Sequence, residues 1–190
     1  MEKVEINTEN LVNHFKTITR HRHEVIKNCF KAGIGPQGLL HDLSKYTPSE
    51  FIAGVEYYQG TRSPNEAERE TIGYSTAWMH HKGRNKHHYE YWTDLNPQTR
   101  RYDSVPMPRR FLAEMVMDRI AACKTYQGKD YHPGSALEYF ESSREKSLMH
   151  PQTRQELDFL LTMLRDQGEG VTFRYLKENV LAGKPFPWEE

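Results

Sequence analysis

TENLVNHFKTITRHRHEVIKNCFKAGIGPQGLLHDLSK, residues 8–45, is the stretch whose reading decides the fold. Residues 9–32 read as one long amphipathic helix with Thr8 as its N-cap. Leu11, Phe15, Ile18, Val25 and Cys29 form its apolar stripe, at spacings of three, four and seven. His14 and His21 fall on that stripe, whereas His23 is turned by about 200° from His21 at ~3.6 residues per turn. A buried site would therefore draw on His21 rather than His23. Gly33-Ile34-Gly35-Pro36 breaks the helix, and Pro36 starts a second, short one. That helix ends in Leu39-Leu40-His41-Asp42-Leu43-Ser44-Lys45.

Further along, Thr47-Pro48-Ser49-Glu50 has the form of a capping box with proline at the first helical position. Ser63-Pro64-Asn65-Glu66 repeats the device and predicts a helix running to about His81. Gly83 and Asn85 interrupt the chain between two histidine pairs, His80-His81 and His87-His88. Residues 93–108 read as an irregular excursion, either a lid or an interface. A helix resumes near Pro108 with Phe111, Leu112, Met115, Ala122 and Cys123. Asp118 shares the Phe111, Met115 and Ala122 face, so it points inward, which is costly unless the carboxylate is paired or metal-bound. Three more helices are expected, over 134–148, 151–167 and 171–182, separated by Pro133, Pro151 and Gly168–Gly170. No segment reads as a convincing strand, and neither a repeat nor a low-complexity tract stands out. The pattern predicts an all-α, single-domain helical bundle: a core over 1–127 and C-terminal helices over 128–190 packed on the same domain.

The 190 residues carry 26 basic and 26 acidic side chains, so no global field favours duplex nucleic acid or an anionic membrane. Mean hydropathy is −0.86 and no apolar run is long enough to span a bilayer. The N-terminus lacks the apolar centre of a signal peptide. Two cysteines, Cys29 and Cys123, read as buried free thiols rather than a disulfide framework. A cytoplasmic protein is expected.

Imidazole and carboxylate are the ligand types that suit zinc, iron, nickel, cobalt or manganese. His21, His41, Asp42 and Asp118 are the first candidate set. His41 and Asp42 differ by about 100° on a regular helix, so sharing an ion requires the end of a short helix, just before a turn. Asp42 has two oxygens and could bridge two ions. His80, His81, His87 and His88 supply more imidazole than one ion needs, which points to a second ion, with a solvated helix end as the plainer reading. Lys45 follows the ligand pair by one turn and is placed to meet a substrate phosphate. His14 reads as a core histidine, and His23, His132 and His150 as surface or capping residues.

The set and its order resemble the HD-domain superfamily of metal-dependent phosphohydrolases. His21-x-x-x-Val25 is similar to that family's first-helix histidine motif, Leu39–Lys45 to its apolar-Leu-His-Asp-x-x-Lys signature, and Asp118 to its late aspartate. The resemblance covers roughly residues 14–126. More narrowly, His41–Phe51 and His80–Trp92 resemble an uncharacterised bacterial and phage HD-like family. The resemblance implies an HD-type bundle with His21, His41, Asp42 and Asp118 as metal ligands, and a second ion held by one of His80 or His81 and one of His87 or His88, the candidate set being His80, His81 and His88. It further implies one or two divalent transition-metal ions (Mn, Fe, Ni, Co or Zn), Asp42 and Lys45 as catalytic residues, and Lys45, Arg84 and His87 as substrate contacts. Two-metal members separate their second-site histidines by more residues than this chain does. Where some single-metal nucleotidases carry an acidic residue this chain has Lys45, and Glu50 lies close enough in sequence to take over water activation.

Three functional readings follow. The first is hydrolysis of a nucleotide or other small phosphoester by metal-activated water. The second is a di-iron oxygenase of the HD type, and the third a non-catalytic, metal-stabilised nucleotide-binding module. A homo-oligomer stays open.

Overall fold

The computed structural model describes residues 7–143 and 148–189. Helix α1 spans Thr8–Ala32 and is capped by Asn7, not Thr8: the Asn7 side chain accepts from the Asn10 amide, one position before the residue expected. Gly33 ends the helix at φ 88°, a left-handed conformation that glycine adopts without a Cβ penalty. Of the expected stripe, Ile18, Val25 and Cys29 are buried, but Leu11 and Phe15 are exposed. Helical phase gave the direction of the stripe; it could not show that the first turns outrun the core, where Phe15 meets only the edge of Tyr46 among the rings.

Helix α2, Gly35–Leu39, packs back on α1. Gly38 makes that approach possible, since a Cβ there would lie 2.5 Å from Cys29 Cβ. The chain then turns through His41 and Asp42 into a 3-10 helix at Leu43–Tyr46. Leu39, Leu40 and Leu43 lie outside the core, and Leu40 is 70% exposed. Helix α3, Pro48–Glu56, starts at Thr47, but no capping box forms. The Thr47 hydroxyl donates back to the Ser44 carbonyl, and Glu50 is spent elsewhere.

The helix expected from Pro64 to His81 is two helices, α4 (Pro64–Ile72) and α5 (Thr76–Lys82). Gly73 at φ 87° breaks them, and Ser75 caps α5 by accepting from the Trp78 amide. Glu68 reinforces the start of α5 by accepting from the Thr76 amide and hydroxyl. The excursion after residue 92 contains a small antiparallel hairpin, β1 (Thr93–Leu95) with β2 (Tyr102–Ser104), where no strand was expected. Each strand is three residues long, too short for an alternating pattern to show.

Helix α6 (Arg109–Gln127) is the central element and packs along α1. Helix α7 covers Ser135–Ser143, and the last residues of the expected 134–148 helix, 144–147, lie outside the described residues. Helix α8, Pro151–Tyr175, is two helical stretches meeting at Gly168, whose φ 78° and ψ 173° are non-helical, so the break expected at Gly168–Gly170 is present; a π-helical turn, Leu176–Val180, follows. One buried cluster joins Val25, Cys29, Leu112, Val116 and Ile120 to Phe140, Leu160, Leu164 and Phe186, so the C-terminal helices complete the core that α1 and α6 begin. The architecture is all-α and single-domain. Among the described residues, no helix is long and apolar enough to cross a membrane.

Candidate metal centre

The site begins with α1 and α6. His21 projects from the middle of α1 and is buried, while His23 is exposed. Opposite it, α6 presents Glu114 and Asp118, one helical turn apart on a single face. Between these helices enters the turn after α2. Asp42 there has φ 52° and ψ 26°, a left-handed conformation that costs most residues 1–2 kcal/mol but that aspartate visits more readily. Arg22 holds the turn from behind: its Nε donates to the His41 carbonyl at 3.1 Å and its Nη2 to the Leu39 carbonyl at 2.5 Å. This geometry answers the constraint on adjacent ligands. Leaving the helical region at Asp42 lets His41 and Asp42 face the same point.

Three groups of donor atoms result, each with its atoms within 4.8 Å of one another. The first is His21, His41, Asp42 and Asp118, the second Asp42, His81, His87 and His88, and the third His41, His87 and Glu114. Asp42 belongs to the first two. Its Oδ2 lies 3.2 Å from His41 Nε2 and 3.7 Å from His21 Nε2, whereas its Oδ1 lies 3.3 Å from His81 Nε2 and 3.4 Å from His87 Nε2. One carboxylate thus offers one oxygen to each group.

Several polar atoms at the centre are left without directed hydrogen bonds, although His81 Nε2 and His88 Nε2 share one at 2.9 Å. His21 Nε2, His41 Nε2, His87 Nε2 and both Asp42 oxygens are buried with no partner of acceptable geometry. His21 Nε2 is only 3.0 Å from Asp118 Oδ1, but at an angle that makes this a charge contact. Buried polar groups are almost always satisfied, and orphans converging on one point fit a bound ion. These buried clusters could hold a metal ion.

The histidine tautomers agree. Glu114 Oε1 faces His41 Nδ1 at 2.9 Å and His87 Nδ1 at 3.3 Å, and Glu50 Oε2 faces His81 Nδ1 at 2.7 Å. An ionised carboxylate only accepts. Each Nδ1 must therefore donate, so that Nε2 is the nitrogen that faces the centre and, once it carries no proton, is free to ligate, the arrangement that orients metal-bound histidines. Both carboxylates are ionised: burial would raise them, but hydrogen bonds from these histidines win, and the Glu114 pKa falls to about 2.

The protein alone supplies substitute cations. Burial opposes charge on His41 and His81, yet the Asp42 carboxylate and the surrounding acids outweigh it and raise both pKa values. Burial likewise works against Asp42 and Asp118, and their cationic neighbours hold both well below the usual carboxylate range. Lys45 Nζ sits 2.6 Å from Asp42 Oδ2, and burial fails to discharge it because Asp42 and Asp118 raise its pKa. Four carboxylates (Asp42, Glu50, Glu114 and Asp118) thus meet in or around the histidine cluster, and Lys45 pairs with one of them, Asp42. His88 is the exception, held well below its ordinary pKa by burial and by His87 and His81.

The sequence-predicted residues divide as follows. The structure brings His21, His41, Asp42, His81, His88 and Asp118 together. His80 lies outside all three donor groups, because Glu50 Oε1 takes its Nδ1 at 2.6 Å and it leaves α5 on another face from His81. His87, expected at the substrate, stands among the donors instead. Arg84 is exposed and bonds back to the His80 carbonyl. Lys45 contacts Asp42 at the edge of the cluster. Sequence reasoning missed Glu114, although it lies four residues before Asp118 on the same inward face, and it read Glu50 as a cap or water-activating group although both its oxygens are occupied by imidazoles. Gln37 and Arg22, which brace the site, carried no signal beyond their position near the turn.

His14 is separate from the donors. It is buried between Phe51 and Tyr58, with ring centroids 5.3 and 5.9 Å away. Burial, with some help from Lys45, lowers its pKa to about 4. A histidine lowered in this way stabilises the fold above its unfolded pKa of ~6.5 and loses that contribution as pH falls toward 4, up to roughly 3 kcal/mol. His14→Gln is expected to flatten the acid limb of stability between these two pH values. Denaturant midpoints of both proteins across pH 4–7 check it, and parallel acid limbs would refute it.

Residues 10–163 match a family of unknown function (DUF5662). The chain belongs to that family. No curated protein and no solved structure matches it. The matched stretch contains every donor described above, from His21 to Asp118.

Proposed function

We propose that this member of the DUF5662 family is an HD-type, metal-dependent phosphohydrolase. It would hold two divalent transition-metal ions and act on a nucleotide or another small phosphoester. The observation that carries the reading is Asp42, whose two oxygens each face a separate donor group. The order of the ligands along the chain, and their resemblance to the HD signature, support it. His21, His41, Asp42 and Asp118 would hold one ion, and Asp42, His81, His87 and His88 the other. Bound there, the ions would lower the pKa of a coordinated water and polarise phosphoryl oxygens.

The chain's own groups supply the remaining requirements. Among the donors Asp118 and His88 are only partly buried, and of the two it is Asp118, 17% exposed, that lies near Lys45, 29% exposed. A substrate would therefore enter on that side. Lys45 stays charged there and would neutralise the phosphoryl group as negative charge builds. Tyr126, whose pKa burial raises, lies in the electrostatic range of Lys45 and Asp118. Glu50 and Glu114 keep the imidazoles in the ligating tautomer.

A di-iron oxygenase is the second reading, favoured by the nitrogen-rich second group of three histidines and one carboxylate. Metal-free protein reconstituted separately with Mn, Fe(II), Co, Ni and Zn separates the readings. Turnover on a panel of nucleotides, phosphomonoesters and phosphodiesters supports hydrolysis. Oxygen uptake restricted to the iron form replaces it with the oxygenase. A folded, two-ion protein inert in both assays would leave the metal-stabilised binding module in their place.

A further inference from the structure

Glu114 stands between the two donor groups. Its Oε1 is 2.9 Å from Nδ1 of His41, a member of the first group, and 3.3 Å from Nδ1 of His87, a member of the second. Its Oε2 is held by a hydrogen bond from Gln37 Nε2, which also donates to the Arg110 carbonyl at 3.2 Å. The carboxylate is buried, and all of its described partners donate to it. The rings of His41 and His87 face each other with centroids 4.4 Å apart, so neither can rotate without disturbing the other.

We propose that Glu114 is a positioning residue that couples the two ion sites, so that they fill together rather than one after the other. The inference rests on the two-ion reading above. Its physical basis is shared ordering. Fixing His41 on a first ion fixes Glu114, and Glu114 then holds His87 with its Nε2 lone pair presented to the second site. The second ion no longer bears the cost of ordering that ligand, which is positive cooperativity without any large change of shape. Asp42, whose two oxygens face different donor groups, would add a direct link, and the carboxylates would offset the mutual repulsion of two close cations. Glu50 provides the contrast. Among the donors it touches only His81, on the second group, and so orients one site without linking it to the other.

Glu114 is also one of three donors that could surround an ion directly, with His41 and His87. The geometry speaks for orientation: it meets both rings at Nδ1, while their Nε2 atoms remain orphaned at the centre.

The test is a calorimetric titration of metal-free, full-length protein with Mn²⁺, alongside electron paramagnetic resonance at half saturation. Wild type is expected to bind two ions in one step, with the coupled spectrum of an ion pair already present at half saturation. Glu114→Gln is expected to weaken binding by about 10–100-fold, the usual effect of losing an outer-shell partner, and to split the titration so that isolated ions appear. Gln37→Met, which releases the far oxygen of Glu114, should do the same to a smaller degree and keeps the question answerable if Glu114→Gln does not fold. The coupling is overturned if the folded variants keep a single step and full affinity, or if wild type fills in two separate steps. Three ions per chain would also overturn it by making Glu114 a ligand. Wild type that binds one ion or none would instead defeat the two-ion reading itself, whatever the variants do.

Discussion

Asp42→Asn is expected to empty both donor groups at once. Asparagine keeps the size of the side chain and tolerates the left-handed backbone at φ 52°, so the turn should survive. What it removes is the charge and one of the two oxygens on which the groups converge. Loss of an outer-shell partner typically costs 10–100-fold in metal affinity, so losing a ligand shared by two ions should cost at least ~100-fold for each. Asp118→Asn is the informative comparison, because Asp118 belongs only to the first group. It should weaken one ion more than the other. Metal content after dialysis, with circular dichroism to confirm folding, decides the matter. A folded Asp42→Asn protein that still carries two ions would rule out the bridge, and any phosphohydrolase activity should fall to background with the ions.

Removing the ions is expected to lower stability by an amount comparable to the loss of a large core side chain. Each ion present at ~1,000 times its Kd contributes roughly 4 kcal/mol, and at about 2–4 °C per kcal/mol for a chain of this size the melting temperature should fall by at least ~10 °C. The cause is the concentration of Asp42, Glu50, Glu114 and Asp118 in and around the histidine cluster, where Lys45 pairs only with Asp42. Without ions, protons on His41 and His81 partly fill the role, since both have raised pKa values. A histidine raised in the folded state stabilises it fully below its unfolded pKa of ~6.5, and that contribution is lost as pH rises through the folded value. Metal-free protein should therefore lose stability as pH rises above neutrality, whereas the metal-loaded protein should not. Thermal melts with and without chelator between pH 6 and 9 test both points. Coincident melts at every pH would mean that no ion stabilises the fold.

Much of the centre was legible because it lies on helices. The 3.6-residue period alone separated buried His21 from exposed His23 and turned Asp118 inward on α6. The same argument would have reached Glu114, one turn earlier. It failed for Glu50, whose neighbours imitate a capping box; a capping box is local, while the histidines that claim Glu50 lie 30 and 31 residues away. The histidine pairs could not be resolved either. His80 and His81 differ by one position on α5, and only the packing of α5 against α3 decides which faces Asp42.

The sequence by itself determined that the chain is helical, where its helices mostly begin, and which of its polar residues would have to be buried. Apolar periodicity, proline and glycine are local signals, and they suffice for this. The tertiary structure decided the rest: that Asp42 leaves the helical region, that its two oxygens face different histidines, and that Glu114 lies between the two groups. These are relations between residues as much as 77 positions apart, such as Gln37 and Glu114. They are set by how α1, α2, α5 and α6 pack, and no short-range pattern in a single sequence encodes that packing.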